Sequence, residues 1–429
     1  MNTVQTTEIG CYVGKRVKLQ GWLHTARHIG GISFVILRDG YGTAQAVFEG
    51  EGLELPKAES VISLVGTVIE NGQAPHGVEI TQPELTIISS VNEELPATMG
   101  KKQLKAALPT VLEHAVVLNR HPSRRAIFKL AAGTMQAFRH TLNECGFTEV
   151  QSPKLVGSST EGGSNVFELP YFGRKAWLAQ SPQFYKQIMV GIFERVYEVG
   201  PVFRAEAHDT SRHINEYVSL DVEFGFIENH FTVMALVREL MEGIFTTLEK
   251  RFHDQLSLLN AKVPEVPTEI PHIHFKEALE LITAKTGENV IGETDLSPQN
   301  ERWLGGWAQE KYNSDFLFVV GYPMSKRPFY THPDLENPVW SNSFDLLFRG
   351  TELITGGQRR HLYPDYLSAL EEAGLSAEPF EHYLEAFKYG MPPHGGFAIG
   401  LERLIMQLCG LSNVKLATLF PRDMKRLVP

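Results

Sequence analysis

The stretch FRAEAHDTSRHINEY, Phe203 to Tyr217, holds two arginines, two histidines and three acids between the apolar runs ERVYEVGPV and VSLDVEFGFI. It reads as two antiparallel strands joined by a charged loop. Alternate strand residues share a face. Arg204 and Glu206 therefore point one way, and Asp221 and Glu223 share a face on the return strand. An arginine buried between strands is unfavourable unless it meets an anion. A phosphate suits Arg204, with Arg212 and His213 reaching further along a polyphosphate. Tyr217 is placed to stack on a base. The bland alternative is an internal network of Arg–Glu ion pairs.

The C-terminal part tips that balance. GGFAIGLERL supplies Gly395, Gly396 and Gly400, then Glu402 and Arg403 at the start of a helix. Such a helix start favours an anion, and Arg403 adds a second clamp for a terminal phosphate. In FDLLFRGTEL, Asp345 and Glu352 stand seven residues apart near the ends of neighbouring strands. Two carboxylates facing a polyphosphate make a magnesium site; alone they would be surface acids. In AQSPQFYKQ, Gln183 and Lys186 are one helical turn apart and face one site. TGGQRRH brings Arg359 after two glycines.

These residues need a scaffold. At 429 residues the chain suggests two or three domains. Residues 1–95 read as five short strands punctuated by Gly30-Gly31, Asp39-Gly40 and Asn71-Gly72. That count fits a small barrel of the oligonucleotide-binding (OB) type. Residues 96–122, with Pro96, Pro109 and Pro122, read as a connector. Residues 123–429 mix hairpins and helices without βαβ regularity, an α+β pattern. Within them, Ile127, Leu130, Thr134, Phe138 and Leu142 define one helix face, and further helices are predicted near 229–251 and at LERLIMQLCG. LFVVGYP and SFDLLFRGTEL each read as a strand.

Composition sets limits. The formal charge of -10 disfavours indiscriminate nucleic-acid binding, though a local basic surface suffices for a specific polynucleotide. No run of about 18 apolar residues predicts a membrane span, and the N-terminal stretch lacks the apolar core of a secretory signal. Cys11, Cys145 and Cys409 are far apart, which points to a reducing, cytoplasmic setting and away from a zinc site.

With those residues in view, VFRAEAHDTSRHINEYVSLDVEF resembles motif 2 of class II aminoacyl-tRNA synthetases, and GGFAIGLERL resembles motif 3. The helix leading to EVQSPKL is similar to motif 1, with Pro153 at its dimer-interface position. The N-terminal strands resemble the anticodon-binding OB-fold barrel of the subclass that handles aspartate, asparagine and lysine. The closing FPRDMKRLVP resembles the archaeal-type aspartyl enzymes. The resemblance implies a catalytic domain built on an antiparallel sheet flanked by helices, ATP and Mg²⁺ as substrate and metal, and a homodimer. It implies that Arg204 and Arg403 are catalytic. Arg204 would hold the α-phosphate, with Glu206 beside it, and Arg212, His213 and Arg403 the distal phosphates; Tyr217 and Gly400 would flank the nucleotide. Asp345 and Glu352 would bind the metal. Lys186 and Arg359 would hold a substrate side-chain carboxylate, and Glu161, Gln183 and Asp221 its ammonium. A neutral amide would leave both cations short of a counter-charge, which favours aspartate over asparagine.

For the tRNA, the resemblance marks Phe34 and Gln45 as positions that meet anticodon bases, with Arg27 as a backbone or base contact. His24 and Pro75 stand where enzymes accepting both tRNA(Asp) and tRNA(Asn) carry His and Pro. That implies a non-discriminating enzyme and a downstream tRNA-dependent amidotransferase. The competing readings are a discriminating aspartyl enzyme, an asparaginyl enzyme, a non-catalytic tRNA-binding paralogue and a tRNA-free amide-forming ligase.

Overall fold

A computed structural model describes residues 3–50, 53–157 and 165–429. The chain divides into two compact units, Met1–Arg124 and Arg125–Pro429, so residues 96–122 belong with the first.

In the first unit, β1 (Arg16–Ile29), β2 (Ile32–Arg38), β3 (Thr43–Glu49), β4 (Val61–Glu70) and β5 (Val78–Ser89) close a barrel in the order β1-β2-β3-β5-β4. Closure leaves no open edge between these strands. Period-2 alternation fills the interior with Val17, Leu19, Val35, Leu37, Ala44, Ala46 and Leu64. A register shift between Leu23 and Thr25 breaks the alternation of β1. One extra residue there leaves both Leu23 and His24 buried. Two short helices, α1 (Leu108–Glu113) and α2 (Ala115–Leu118), follow.

In the second unit the strands are β6 (Thr148–Glu149), β7 (Leu155–Val156), β8 (Glu168–Tyr171), β9 (Arg174–Leu178), β10 (Arg195–Phe203), β11 (Glu216–Gly225), β12 (His272–His274), β13 (Phe316–Val320), β14 (Ser343–Phe348), β15 (Thr351–Arg359) and β16 (His394–Gly400). One sheet runs in the order β12-β13-β14-β15-β16-β11-β10-β6, and β7-β9-β8 form a small side sheet. The pairs from β13 through β10 are antiparallel. SFDLLFRGTEL is thus a hairpin rather than one strand. Arg349 (φ 49°) and Gly350 (φ 71°) turn the chain between β14 and β15, a positive-φ pair that matches strand twist.

Helices α3 (Pro122–Glu144), α5 (His230–Arg251) and α11 (Leu401–Leu408) cover one face of this sheet. Leu130, Phe138, Val237, Leu240, Leu404 and Ile405 meet Val222, Phe344, Phe397 and Ile399 there. The opposite face has two covers. At one end α7 (Phe275–Thr286) and α8 (Pro298–Tyr312) sit over Leu317, Val319 and Leu347. At the other, α4 (Gln183–Phe193), α9 (Tyr363–Glu372) and α10 (Glu381–Lys388) form an aromatic cluster around Phe184, Tyr366 and Tyr383. The sheet between these covers carries the charged residues. Leu220, Val222 and Phe224 face the core, so by alternation Asp221 and Glu223 face the gap.

Candidate active site

Strands β10 and β11 pair from Arg195↔Phe224 to Phe203↔Glu216, and the charged loop closes their far end. That loop is fastened by chain from the far C-terminal side. The backbone N–H of Val414 donates to Ser211 O, and that of Asn215 to Arg422 O, each at 2.8 Å. Lys415 and Lys425 bracket Asp209 at 2.7 and 2.9 Å, and Lys415 also meets Asp423. The two lysines hold the exposed Asp209 carboxyl down at about 2.

A cavity of about 290 Å³ opens behind the loop. Every residue assigned to the nucleotide lines it: Arg204, Glu206, Arg212, His213, Tyr217, Glu352, Gly400 and Arg403. The Arg204 guanidinium lies 5.7 Å from the Tyr217 ring centre and 3.7 Å from Glu206. His213 Nε2 is 3.6 Å from the other Glu206 oxygen. Arg403 donates to the Glu352 carbonyl at 2.9 Å and approaches its carboxylate at 3.3 Å. Three guanidiniums around one cavity favour a multiply charged anion over any neutral ligand.

The two carboxylates expected to bind a metal divide. Glu352 and Thr355 line the cavity, and the Thr355 hydroxyl donates to Glu352 at 3.1 Å. Asp345 is not in the lining; Arg327 holds it at 3.0 Å, over the Tyr322 ring. Burial pushes the Asp345 carboxyl up to about 6 against that arginine. Burial opposes ionisation of Glu352 too, but Arg403 and the Thr355 hydroxyl outweigh it and hold its pKa down. Among the described residues no group of three or more His, Cys, Asp or Glu side chains is arranged to hold a metal. Hard oxygen donors in so sparse a set fit Mg²⁺ that takes the rest of its shell from phosphate and water.

Beyond the cavity lies a buried charge cluster. Lys186, 2% exposed, sits on α4 with its Nζ 3.1 Å from Asp221 and 3.3 Å from Glu223. Arg359 on β15 donates from Nε to Glu223 at 2.9 Å and from Nη2 to Gly396 O at 3.0 Å. Gln183, one turn before Lys186, bonds Gln187 at 3.0 Å and reaches Glu223 at 3.5 Å. Gln187 is locked in turn by Tyr366, Tyr383 and His394. Without a ligand, Lys186 and Arg359 are therefore already paired with acids. Glu223, fully buried, serves both. This acid was legible only as the face-mate of Asp221; the second cation is the signal that calls for it. Glu161 lies outside the described residues.

Gly396 makes this arrangement possible. A Cβ there would collide with the Val222 carbonyl and the Glu223 carboxylate. Gly396→Ala is expected to lose about 1–3 kcal/mol of stability by overpacking and to lower the unfolding temperature accordingly. Urea unfolding and calorimetry check both.

In the barrel unit, Arg27 pairs with Phe34 across β1 and β2, and Phe34 with Val47 on β3. Gln45 pairs with Ile36 and donates to Glu79 at 3.0 Å. Arg27, Phe34 and Gln45 thus share the outer face of the barrel. Pro75 begins a 3-10 turn between β4 and β5. His24, at the bulge, is 9% exposed, and burial first, then Arg38 and His121, push its pKa down to about 4.

The sequence pattern of the family described as "tRNA synthetases class II (D, K and N)" matches residues 108–424. The chain belongs to this class II aminoacyl-tRNA synthetase family. The barrel of this synthetase matches the pattern described as "OB-fold nucleic acid binding domain" over residues 17–88. It is 47% identical to the "Aspartate--tRNA(Asp/Asn) ligase" of Deinococcus radiodurans, covering 99% of this chain and 98% of that one. It is 46% identical to the protein of the same name in Thermus thermophilus, covering 99% and 100%. Among solved structures, the synthetase aligns over the whole of both chains with asparaginyl-tRNA synthetase from Pyrococcus horikoshii complexed with asparaginyl-adenylate. The TM-score is 0.93 at 29% identity. No helix among the described residues is long and apolar enough to cross a membrane.

Proposed function

We propose that this synthetase attaches L-aspartate to tRNA(Asp) and also to tRNA(Asn), using ATP and an aspartyl-adenylate intermediate. One observation supports the choice of amino acid: two buried cations, Lys186 and Arg359, are balanced by two buried acids, Glu223 and Asp221, and Asp221 pairs with Lys186 alone. Once the ammonium engages Asp221, with Gln183 and Glu161, Lys186 and Arg359 together keep only Glu223. One positive charge is then left for the substrate side chain. A carboxylate satisfies it; an amide does not.

The α-carboxylate of aspartate attacks the α-phosphorus of ATP, and pyrophosphate leaves. The terminal ribose 3′-hydroxyl of the tRNA then attacks the adenylate carbonyl. Both steps depend on alignment and charge stabilisation. Arg204 meets the α-phosphate, and Arg212, His213 and Arg403 the distal ones. Tyr217 stacks on adenine. Glu352 and Thr355, with Asp345 behind them, would hold Mg²⁺, which would supply neutralisation of triphosphate charge.

The chain works as a homodimer through the surface around Pro153. The exposed apolar side chains Leu155 and Phe172 of the side sheet support that assignment. The tRNA is read on the outer barrel face of Arg27, Phe34 and Gln45, beside Pro75. Acceptance of tRNA(Asn) is supported by His24 and Pro75 and by the relatives' names. Misacylated Asp-tRNA(Asn) then requires an amidotransferase downstream.

The test is charging of purified tRNA(Asp) and tRNA(Asn) transcripts with labelled aspartate. Both should be charged, with kcat/KM within about tenfold of each other. Product on tRNA(Asp) alone makes the enzyme discriminating. Pyrophosphate exchange driven by asparagine and not by aspartate makes it an asparaginyl enzyme.

A further inference from the structure

One buried acid beside the nucleotide cavity belongs to none of the sequence signatures. Glu301 lies in the first turn of α8, just after the Ser297 cap that accepts from the Asn300 N–H. It is 6% exposed and is not part of the cavity lining. Its Oε2 accepts two hydrogen bonds, from Arg212 Nη2 at 2.6 Å and from the backbone N–H of Glu352 at 2.8 Å. A single oxygen thus joins the loop between β10 and β11 to the start of β15. Both residues that it joins line the cavity.

We propose that Glu301 is a positioning residue for ATP, fixing the Arg212 guanidinium and the Glu352 backbone in register before the nucleotide arrives. The proposal rests on the reading of this cavity as the ATP site. Arg212 sits on a loop, and a free arginine side chain loses much rotamer freedom when a ligand fixes it. Glu301 removes that freedom in advance. It occupies one Nη2 edge and leaves the remaining guanidinium N–H groups for phosphate oxygens. Burial pushes the Glu301 carboxyl up, while Arg212 and the Glu352 N–H work against that rise. An exposed ion pair at this place would contribute little; a buried one with a second hydrogen bond fixes geometry. If Glu301 merely fastened α8 to the sheet, its loss would lower stability without singling out ATP.

The experiment is aspartate-dependent pyrophosphate exchange by the full chain. Wild-type protein is measured first; no exchange there defeats the ATP reading itself, apart from any role of Glu301. Given exchange, Glu301→Ala should raise KM for ATP by about tenfold or more, with KM for aspartate within about twofold. Glu301→Gln keeps an oxygen for the Glu352 N–H and loses only the charge toward Arg212. It should raise KM for ATP by about threefold, and it decides the matter if the alanine variant does not fold. In an Arg212→Ala background, Glu301→Gln should change KM for ATP by less than about 1.5-fold, because its partner is gone. An unchanged KM for ATP in Glu301→Gln overturns the proposal. So does an equal rise in both KM values, or an effect that persists undiminished in the Arg212→Ala background.

Discussion

Lys186→Ala is expected to lower kcat/KM for aspartate in pyrophosphate exchange by about 10³-fold or more, while KM for ATP stays within about twofold. The asymmetry follows from where the lysine sits. Its Nζ lies between Asp221 and Glu223, and the residue is not in the lining of the cavity proposed for the nucleotide. Without it, Arg359 and Glu223 neutralise each other, and no positive charge remains to attract a side-chain carboxylate. The change also acts on stability. Burial opposes ionisation of Glu223, but Arg359 and Lys186 outweigh it and hold its pKa below the ordinary value. A depressed carboxyl pKa stabilises the fold above the unfolded pKa and ceases to do so as pH falls through the folded value. The variant should therefore be less stable than wild type at pH 7, and the gap should narrow below about pH 4. Circular dichroism across that range separates lost substrate affinity from lost fold. Near-normal exchange in a folded variant would remove Lys186 from the aspartate site.

The second large effect belongs to Arg204. Arg204→Ala should lower kcat for exchange by about 10³-fold, with KM for ATP raised much less. Arg204 leaves the end of β10 and extends over the Tyr217 ring, in the lining of the cavity proposed for ATP. Further negative charge builds on the already ionised α-phosphate oxygens as the aspartate carboxylate attacks. A donor aimed there stabilises the transition state more than the bound ATP. Lysine cannot replace it, because one ammonium does not span two oxygens in a plane. Arg204→Lys should recover less than about a tenth of the lost rate. Exchange kinetics at varied ATP concentration separate the two roles: a raised KM with unchanged kcat would make Arg204 a ground-state anchor only.

Most of the lining of the cavity proposed for ATP was legible because its parts are local. Arg204, Arg212, His213 and Tyr217 lie on one hairpin, and Gly400 and Arg403 on one strand-to-helix turn, so spacing alone sets their neighbours. The barrel strands were legible from alternation and paired turn residues. What escaped depends on contacts between distant segments. Glu301 on α8 meets Arg212 across 89 positions, and no periodicity links them. The shared role of Glu223 emerges only when β15 brings Arg359 alongside β11 through β16. The Arg349-Gly350 turn was hidden because apolar residues continue on both sides of it. The register shift between Leu23 and Thr25 also escaped, because alternation cannot register a bulge.

The position of β16 in the large sheet has a consequence for biosynthesis. This strand lies between β11 and β15, yet it follows both in the chain. A ribosome-bound polypeptide that has emerged only through β15 carries two unpaired strand flanks at what becomes the middle of its sheet. Such flanks are templates for wrong pairing between neighbouring nascent chains. Trigger-type chaperones that shield emerging chains should therefore matter for yield until residues 394–400 are out, and far less afterwards.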